Sequence, residues 1–350
     1  MSRTDKVRLE LLELLNNGQA IENMSLNGVE FTGLDCAGVT FINCDFRECN
    51  MVGGDFDFAT FHQCQLQNAS WGQATCYGLV FLQSSLHSAD FSHSKLRQSK
   101  ALDCDLTASI WHQSILDQCQ FVQCNWASAD LSQLKAKSCA WIACGWTQTH
   151  LNQSQMESCV MHQADFQEAE ISRIDWQRCV LNESRWKSTD FQGCQLAFTQ
   201  FIGANLALCR FDGAMVHNTG FSHACLANVS FSGCALTQTQ WVQVQASQVD
   251  FSNSDLSYAT FPQAQLSACD FSAANLSYAN LSHTRLIDCQ FSSTQMDFAD
   301  LTQCQADRCL FSDVSANYTK ATDATGLPTA LLANSSLREW RSQDSASTSA

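Results

Sequence analysis

Charged residues are scarce in this chain of 350 residues: Asp, Glu, Lys and Arg make up 15%, against about a quarter in an average soluble protein. The charge that is present leans negative, with 34 acidic against 19 basic residues and a formal net charge of −15. That balance disfavours direct binding to nucleic acid or to an anionic membrane surface, because phosphate contact needs clustered Lys and Arg. Proline is nearly missing, at two residues, which argues against proline-rich linkers and turn-dense all-β folds. Long apolar runs are missing too, since nothing approaches the ~18 residues of a membrane span. The start, MSRTDKVRLELLELLNNG, carries charges throughout its apolar part, unlike a secretory signal, so a cytoplasmic protein without a membrane segment is expected. There is also no glycine-rich phosphate loop, no metal-ligand motif and no insertion that could roof a pocket. No catalytic residue, cofactor or metal is therefore expected, and the chain is not expected to be an enzyme.

What the sequence does have is a beat of five. In DFSAANLSYANL (Asp270–Leu281) a large apolar residue falls at Phe271, Leu276 and Leu281, with an alanine two places before the last two, Ala274 and Ala279. A period of five belongs neither to an α-helix at 3.6 nor to a flat strand at 2. Counted outward from Phe271, the register runs from Leu26 to Ala316 without an insertion or deletion. Call the beat position i. All 22 phenylalanines except Phe58, Phe198 and Phe298 sit at i, as do all nine tryptophans except Trp340. Position i−2 is small or aliphatic, and from Met24 to Ala316 neither i nor i−2 carries a charged residue, His, Asn or Gln. Two inward and three outward residues per five fit a short extended segment followed by a tight turn. Such segments bury their apolar edge only against copies of themselves, as in a solenoid. Four of them make a square coil of 20 residues, stacked at about the 4.8 Å spacing of strands.

The five-residue units ADFSH (Ala89–His93), ANLAL (Ala204–Leu208) and ANLSY (Ala274–Tyr278) are similar to those of the pentapeptide repeat family. The resemblance implies an all-β fold, a right-handed quadrilateral β-helix of about 15 coils over residues 21–320. A capping helix is expected over residues 1–20, with Val7, Leu9, Leu11, Leu12, Leu14 and Leu15 covering the first coil and a stop near Gly18. A C-terminal cap is expected over 321–341, from GLPTALLANSSLREW, and a disordered tail over 342–350. In the family, C-terminal extensions of this kind mediate dimerisation, which puts a homodimer through that cap among the expected partners.

The 20 cysteines invite a disulfide or metal reading. Their positions favour another. Residues such as Cys44, Cys119, Cys194 and Cys304 fall at i−2, and Cys36 and Cys76 at i, so the cysteines are expected to be buried, structural thiols without outward members. The nine histidines all lie at outward positions.

Numbering modulo 20 turns the outward positions into columns. Phe and Tyr appear at i+2 only at Phe58, Phe198, Tyr258, Tyr278, Phe298 and Tyr318, all in one column. They are candidates either for a stacking ladder or for a partner-binding strip, with Phe198, Tyr258, Tyr278, Phe298 and Tyr318 the partner-binding candidates. A second column at i−1 is acidic: Glu30, Asp90, Asp130, Glu170, Asp190, Asp250 and Asp270, interrupted by His150 and Arg210. There Asp and Asn also help the turn. A third feature is basic, Lys95, Arg97, Lys135 and Lys137, with Asp117 between, and reads as a solvated patch.

The expected function is a non-enzymatic protein-binding or scaffolding rod whose flat faces meet a protein partner of unknown identity. The helix followed by NMSLNGVEFTGLDCAG resembles bacterial family members found in secretion-associated clusters, including type VI systems. The alternative that the resemblance implies is a DNA mimic that modulates a type II topoisomerase, by gyrase inhibition or protection.

Overall fold

The architecture is that of a computed structural model, which describes residues 3–16, 20–329 and 331. The chain divides into two compact units, Met1–Arg185 and Trp186–Ala350. Each is a parallel β-solenoid built on a 20-residue coil, with about 14 turns between them.

The local rule is the same in both units. The residue at i sends its N–H to the carbonyl 19 positions ahead, as Leu26 does to Asp45 at 2.7 Å. The N–H of Asp45 returns to the Met24 carbonyl at 2.9 Å. Each coil is thus hydrogen-bonded to the next in parallel register. The carbonyl at i also accepts from the N–H three residues on, as in Val29 to Leu26 at 3.0 Å, which closes a tight turn. The third residue of that turn, i+2, has a positive φ throughout, including Asn23, Gln63, His93 and Tyr278. Left-handed backbone is costly for residues with a Cβ, so the coil tolerates this strain once per side. Asp or Asn at i−1 eases it. Asp35, Asp90 and Asn280 each accept the N–H two residues on, at 3.0, 2.8 and 2.9 Å.

In the first unit an eight-stranded parallel sheet begins at Ile21–Glu22 and ends at Val160–His162, and a six-stranded sheet runs from Thr75–Tyr77 to Asp175–Gln177. In the second unit a five-stranded parallel sheet runs from Cys225–Ala227 to Gln305–Asp307. Strand partners are offset by 20 residues, as in Lys135 with Gln155 and Gln245 with Gln265. The other sides are held by single bridges with the same offset, such as Asp90 with Ile110.

The core is a column of stacked rings. In the first unit Phe91 lies over Trp111 with centroids 4.1 Å apart and planes at 7°. In the second, Phe211, Phe231, Phe251, Phe271, Phe291 and Phe311 stack at 4.6 to 5.5 Å. Position i−2 favours Ala, Ser, Thr and Cys because it faces carbonyls at close quarters. Thr284 Oγ1 donates to the Phe261 carbonyl at 2.8 Å, and Cys44 Sγ to the Ile21 carbonyl at 3.3 Å. The Phe261 carbonyl also accepts the Ala264 N–H at 3.0 Å, so the small hydroxyl or thiol finds its own buried partner there, and Ala fits by size alone. Inward burial weakens at a few positions, including Ala169, Ile171 and Phe311, which are half-buried.

Three expectations are corrected. The fold is all-β and turn-dense with only two prolines, because its turns depend on a left-handed residue at i+2 and not on proline. Cys225 is exposed at an i−1 position and Cys309 is intermediate, so the thiols are not all inward. The helix spans Arg3–Asn16, but it buries only Leu11 fully, with Val7, Leu14 and Leu15 half-buried and Leu9 and Leu12 exposed. Helical periodicity places 7, 11, 14 and 15 on one face and 9 and 12 on another. The guanidinium of Arg8 adds an anchor to that face, donating to the Glu30 and Thr32 carbonyls at 2.6 and 2.7 Å. The expected stop at Gly18, most of the expected cap beyond Leu331 and the tail over 342–350 lie outside the described residues. Within them, Leu327 and Leu331 are buried.

Candidate functional site

The inward positions are filled by packing, so only outward columns are open to a partner. In the second unit Tyr258, Tyr278, Phe298 and Tyr318 stand on successive coils, each with φ near +60°. A bulky aromatic in left-handed backbone is unusual, and here the conformation aims four rings outward in one line. The stack is close to parallel. Tyr258 to Tyr278 is 4.9 Å at 4°, Tyr278 to Phe298 is 4.8 Å at 2°, and Phe298 to Tyr318 is 5.0 Å at 12°. The four residues are 54, 48, 46 and 70% exposed, in that order. Face-to-face stacking hides the ring faces and presents a ribbon of edges and hydroxyls. Beside it lie the Lys320–Asp300 ion pair at 3.2 Å and Asp297, which accepts from Ser315 and from the Asn317 N–H.

The other two aromatics of the column have ring partners of a different kind. Phe198 sits edge-on to His217 at 5.6 Å. Phe58, in the first unit, packs edge-on to Tyr77 at 5.1 Å. Its ring also lies over Gly78, where a Cβ would meet it at 2.7 Å.

The aspartates of the acidic column each commit one oxygen to their own turn. Asp90, Asp130, Asp190, Asp250 and Asp270 each use Oδ1 to accept the N–H two residues on, at 2.8 to 2.9 Å. Glu170 pairs with His150 Nδ1 at 2.7 Å, and Glu30 accepts from Asn50 at 2.7 Å. Asp250 and Asp270 are bridged neighbours, whereas Ile110 separates Asp90 from Asp130.

The basic residues lie on the six-stranded sheet of the first unit. Lys95, Arg97, Lys135 and Lys137 border a shallow trough of about 590 Å³. One rim is internally neutralised, with Arg97 to Asp117 and Lys137 to Glu157 both at 3.1 Å. The other rim, Lys95, Ile115 and Lys135, has no carboxylate partner among the described residues. The trough and the exposed Ile110 and Ile115 are additions to the candidate residues. Their signal in the sequence is an isoleucine at an outward position between like charges, 20 residues to either side.

Burial pushes the thiols of Cys36, Cys49, Cys76 and Cys304 up to about 12, which suppresses the thiolate that redox or metal chemistry uses. Among the described residues no group of three or more His, Cys, Asp or Glu is placed to hold a metal ion, and no helix is long and apolar enough to cross a membrane.

A family model described as pentapeptide repeat region matches residues 184–261 and 247–321, and one described as pentapeptide repeats (8 copies) matches 25–63 and 59–98. No curated protein matches the sequence. Among solved structures, the chain is similar to QnrB1, a plasmid-mediated fluoroquinolone resistance protein, at 20% identity over 62% of this chain and 91% of that one, with a TM-score of 0.34. It is also similar to HetL, a pentapeptide repeat protein involved in heterocyst differentiation regulation from the cyanobacterium Nostoc sp. strain PCC 7120. That match has 17% identity over 90% of this chain and 92% of the other, with a TM-score of 0.19.

Proposed function

The chain belongs to the pentapeptide repeat family, and from that premise we propose that it is a non-enzymatic scaffold whose outward columns dock a protein partner. The observation that carries this reading is the four-ring ribbon from Tyr258 to Tyr318, 46–70% exposed along its length. Aromatic side chains are enriched where proteins meet, since they bury large area at low entropic cost. Stacking holds these rings in place before any partner arrives, which lowers the ordering cost of association.

The test is affinity capture with the wild-type chain against a variant carrying Tyr258→Ser, Tyr278→Ser and Phe298→Ser. The ribbon is supported if a protein retained by the wild type is lost from the variant, and removed from consideration if the retained set is unchanged. The alternative, a polyanion mimic acting on a type II topoisomerase, needs charge at the density of duplex DNA, roughly one per 1.7 Å of axis. Asn50, Ser70, Ile110, His150, Arg210 and Ser230 interrupt the acidic column, so its charges stand one strand spacing of about 4.8 Å or more apart. A supercoiling assay decides the matter: inhibition or protection of gyrase at micromolar protein would favour the mimic over the scaffold.

A further inference from the structure

Two neighbouring sides of the first unit carry the same three-coil pattern with opposite charge. On one, the outward i−1 residues of successive coils are Asp90, Ile110 and Asp130, joined by parallel bridges. On the next side, five residues further along each coil, they are Lys95, Ile115 and Lys135, paired in register within the sheet. Both isoleucines stand out into solvent, at 39 and 41% exposure. Each ridge is bounded by uncharged or weakly basic groups in its own column, Ser70 and His150 for the acidic one, Thr75 and Gln155 for the basic one.

We propose that the lysine ridge of one copy of this chain docks on the aspartate ridge of a second copy. The spacing of the two ridges is matched by construction, because both are set by the same coil rise. Lys95 and Lys135, like Asp90 and Asp130, are two strand spacings apart, about 10 Å. Each pattern is symmetric about its isoleucine, so copies running parallel or antiparallel make the same two ion pairs around an Ile110–Ile115 contact. The groups needed are free to pair. Asp90 and Asp130 use only Oδ1 internally, for Ser92 and Ser132, and neither lysine has an ion-pair partner among the described residues. Beside the acidic ridge the outward residues are Ser88, Ala108 and Ser128 on one flank and Ser92, His112 and Ser132 on the other. None repels a lysine through size and negative charge together. A second copy is favoured over nucleic acid as the occupant because it presents an exposed apolar residue, Ile110, between its two carboxylates to cover Ile115, which a phosphate backbone does not offer.

The contact is heterologous, since it joins two different surfaces, and association need not stop at two copies. It is also small and polar, which places it among weak, reversible contacts. Like-charge repulsion from the net −15 opposes it over long distances.

The test is sedimentation equilibrium from about 10 µM to 1 mM, the range of a weak contact, in about 0.1 M salt, where the Debye length is about 10 Å. The wild type should rise above the 38.7 kDa of one chain with concentration. Lys95→Glu with Lys135→Glu should abolish the rise, and so should Asp90→Lys with Asp130→Lys. Each variant presents two ridges of one sign, but an equimolar mixture restores opposite charges and should restore association. If the lysine-introducing variant loses its native circular dichroism, Asp90→Asn with Asp130→Asn replaces it, with loss of association as the expected result. A wild type that stays monomeric, a variant that associates as the wild type does, or two folded charge-swapped variants that stay apart when mixed would overturn the proposal.

Discussion

Two ring columns in the second unit allow a direct separation of packing from presentation. Phe231 is fully buried and stacked between Phe211 at 4.6 Å and Phe251 at 5.5 Å. It also meets Phe221 and Trp241 edge-on at 5.5 and 5.3 Å. Replacing it by Ala should cost about 3–5 kcal/mol, because the surrounding coils are hydrogen-bonded on both sides and collapse little into the void. Tyr278 has similar stacking distances to its two neighbours but keeps about half its surface in water. The triple change of Tyr258, Tyr278 and Phe298 to Ser removes three stacking contacts, each about 0.5–1.5 kcal/mol when well packed. Half-exposure puts these at the lower end, and relief of bulky side chains from positive φ offsets part of the rest. The net cost should be about 1–2 kcal/mol. Guanidinium unfolding followed by far-ultraviolet circular dichroism reads both, as midpoint shifts at unchanged slope. The single core change should therefore shift the midpoint more than the triple surface change. If the surface triple costs as much as Phe231→Ala, the ribbon is a structural strut, and its proposed role in binding loses its support.

Other consequences follow from burial and charge. Of the 20 cysteines, exposed Cys225 should react first with a thiol reagent in the native state, half-buried Cys309 more slowly, and the buried remainder slowest. Several fast thiols would contradict the inward placement of the rest, and unfolding should release the remainder. Asp45 is held below the usual carboxylate range by the Arg47 side chain, and Asp288 by Arg308. Burial opposes the same shift at Asp300, where hydrogen bonds from Thr302 and Lys320 prevail. With folded values depressed, their contribution is fully present above about pH 3.9, the unfolded value, and is lost as pH falls through the folded values. Thermal unfolding should be nearly level from pH 7 to about 5 and drop below about 4; a drop between 7 and 5 would point to other groups.

Much of this fold is legible because one periodic rule decides which residues are buried. Phe271 and Leu276 identify themselves as core by position alone, and the column from Tyr258 to Tyr318 appears as soon as the numbering is wrapped at 20. Burial pattern does not report backbone sign, so the positive φ at every i+2 was not read. Gly28, Gly33, Gly38 and Gly53 at that position were the available signal. Cys225 escaped because the repeat makes cysteine look inward by habit, whereas its own place in the beat is i−1. The columns Asp90–Ile110–Asp130 and Lys95–Ile115–Lys135 are visible in the wrapped numbering too, but only the structure shows that Ile110 and Ile115 are exposed and that Lys95 and Lys135 have no ion-pair partner among the described residues. Two of the six expected helix contacts differ for a simpler reason. Leu9 and Leu12 are apolar, but the turn of the helix carries them away from the coil.

The central claim is that a 20-residue coil, with two inward positions per side, carries the structure and leaves only outward columns for function. Removing residues 251–270 joins Asp250 to Phe271, which occupies the same place in the coil as Phe251, so every later residue keeps its orientation. Removing Ser257 alone turns Phe261, Leu266, Phe271 and Leu276 outward in the next coil. At about 1.5–3 kcal/mol for each large apolar side chain, that coil alone loses about 6–12 kcal/mol, comparable with the whole stability of a typical domain. Circular dichroism and unfolding midpoints of the two deletions, measured side by side, should show the 20-residue deletion folded and the one-residue deletion disordered from that point on. Equal damage from both would contradict the coil.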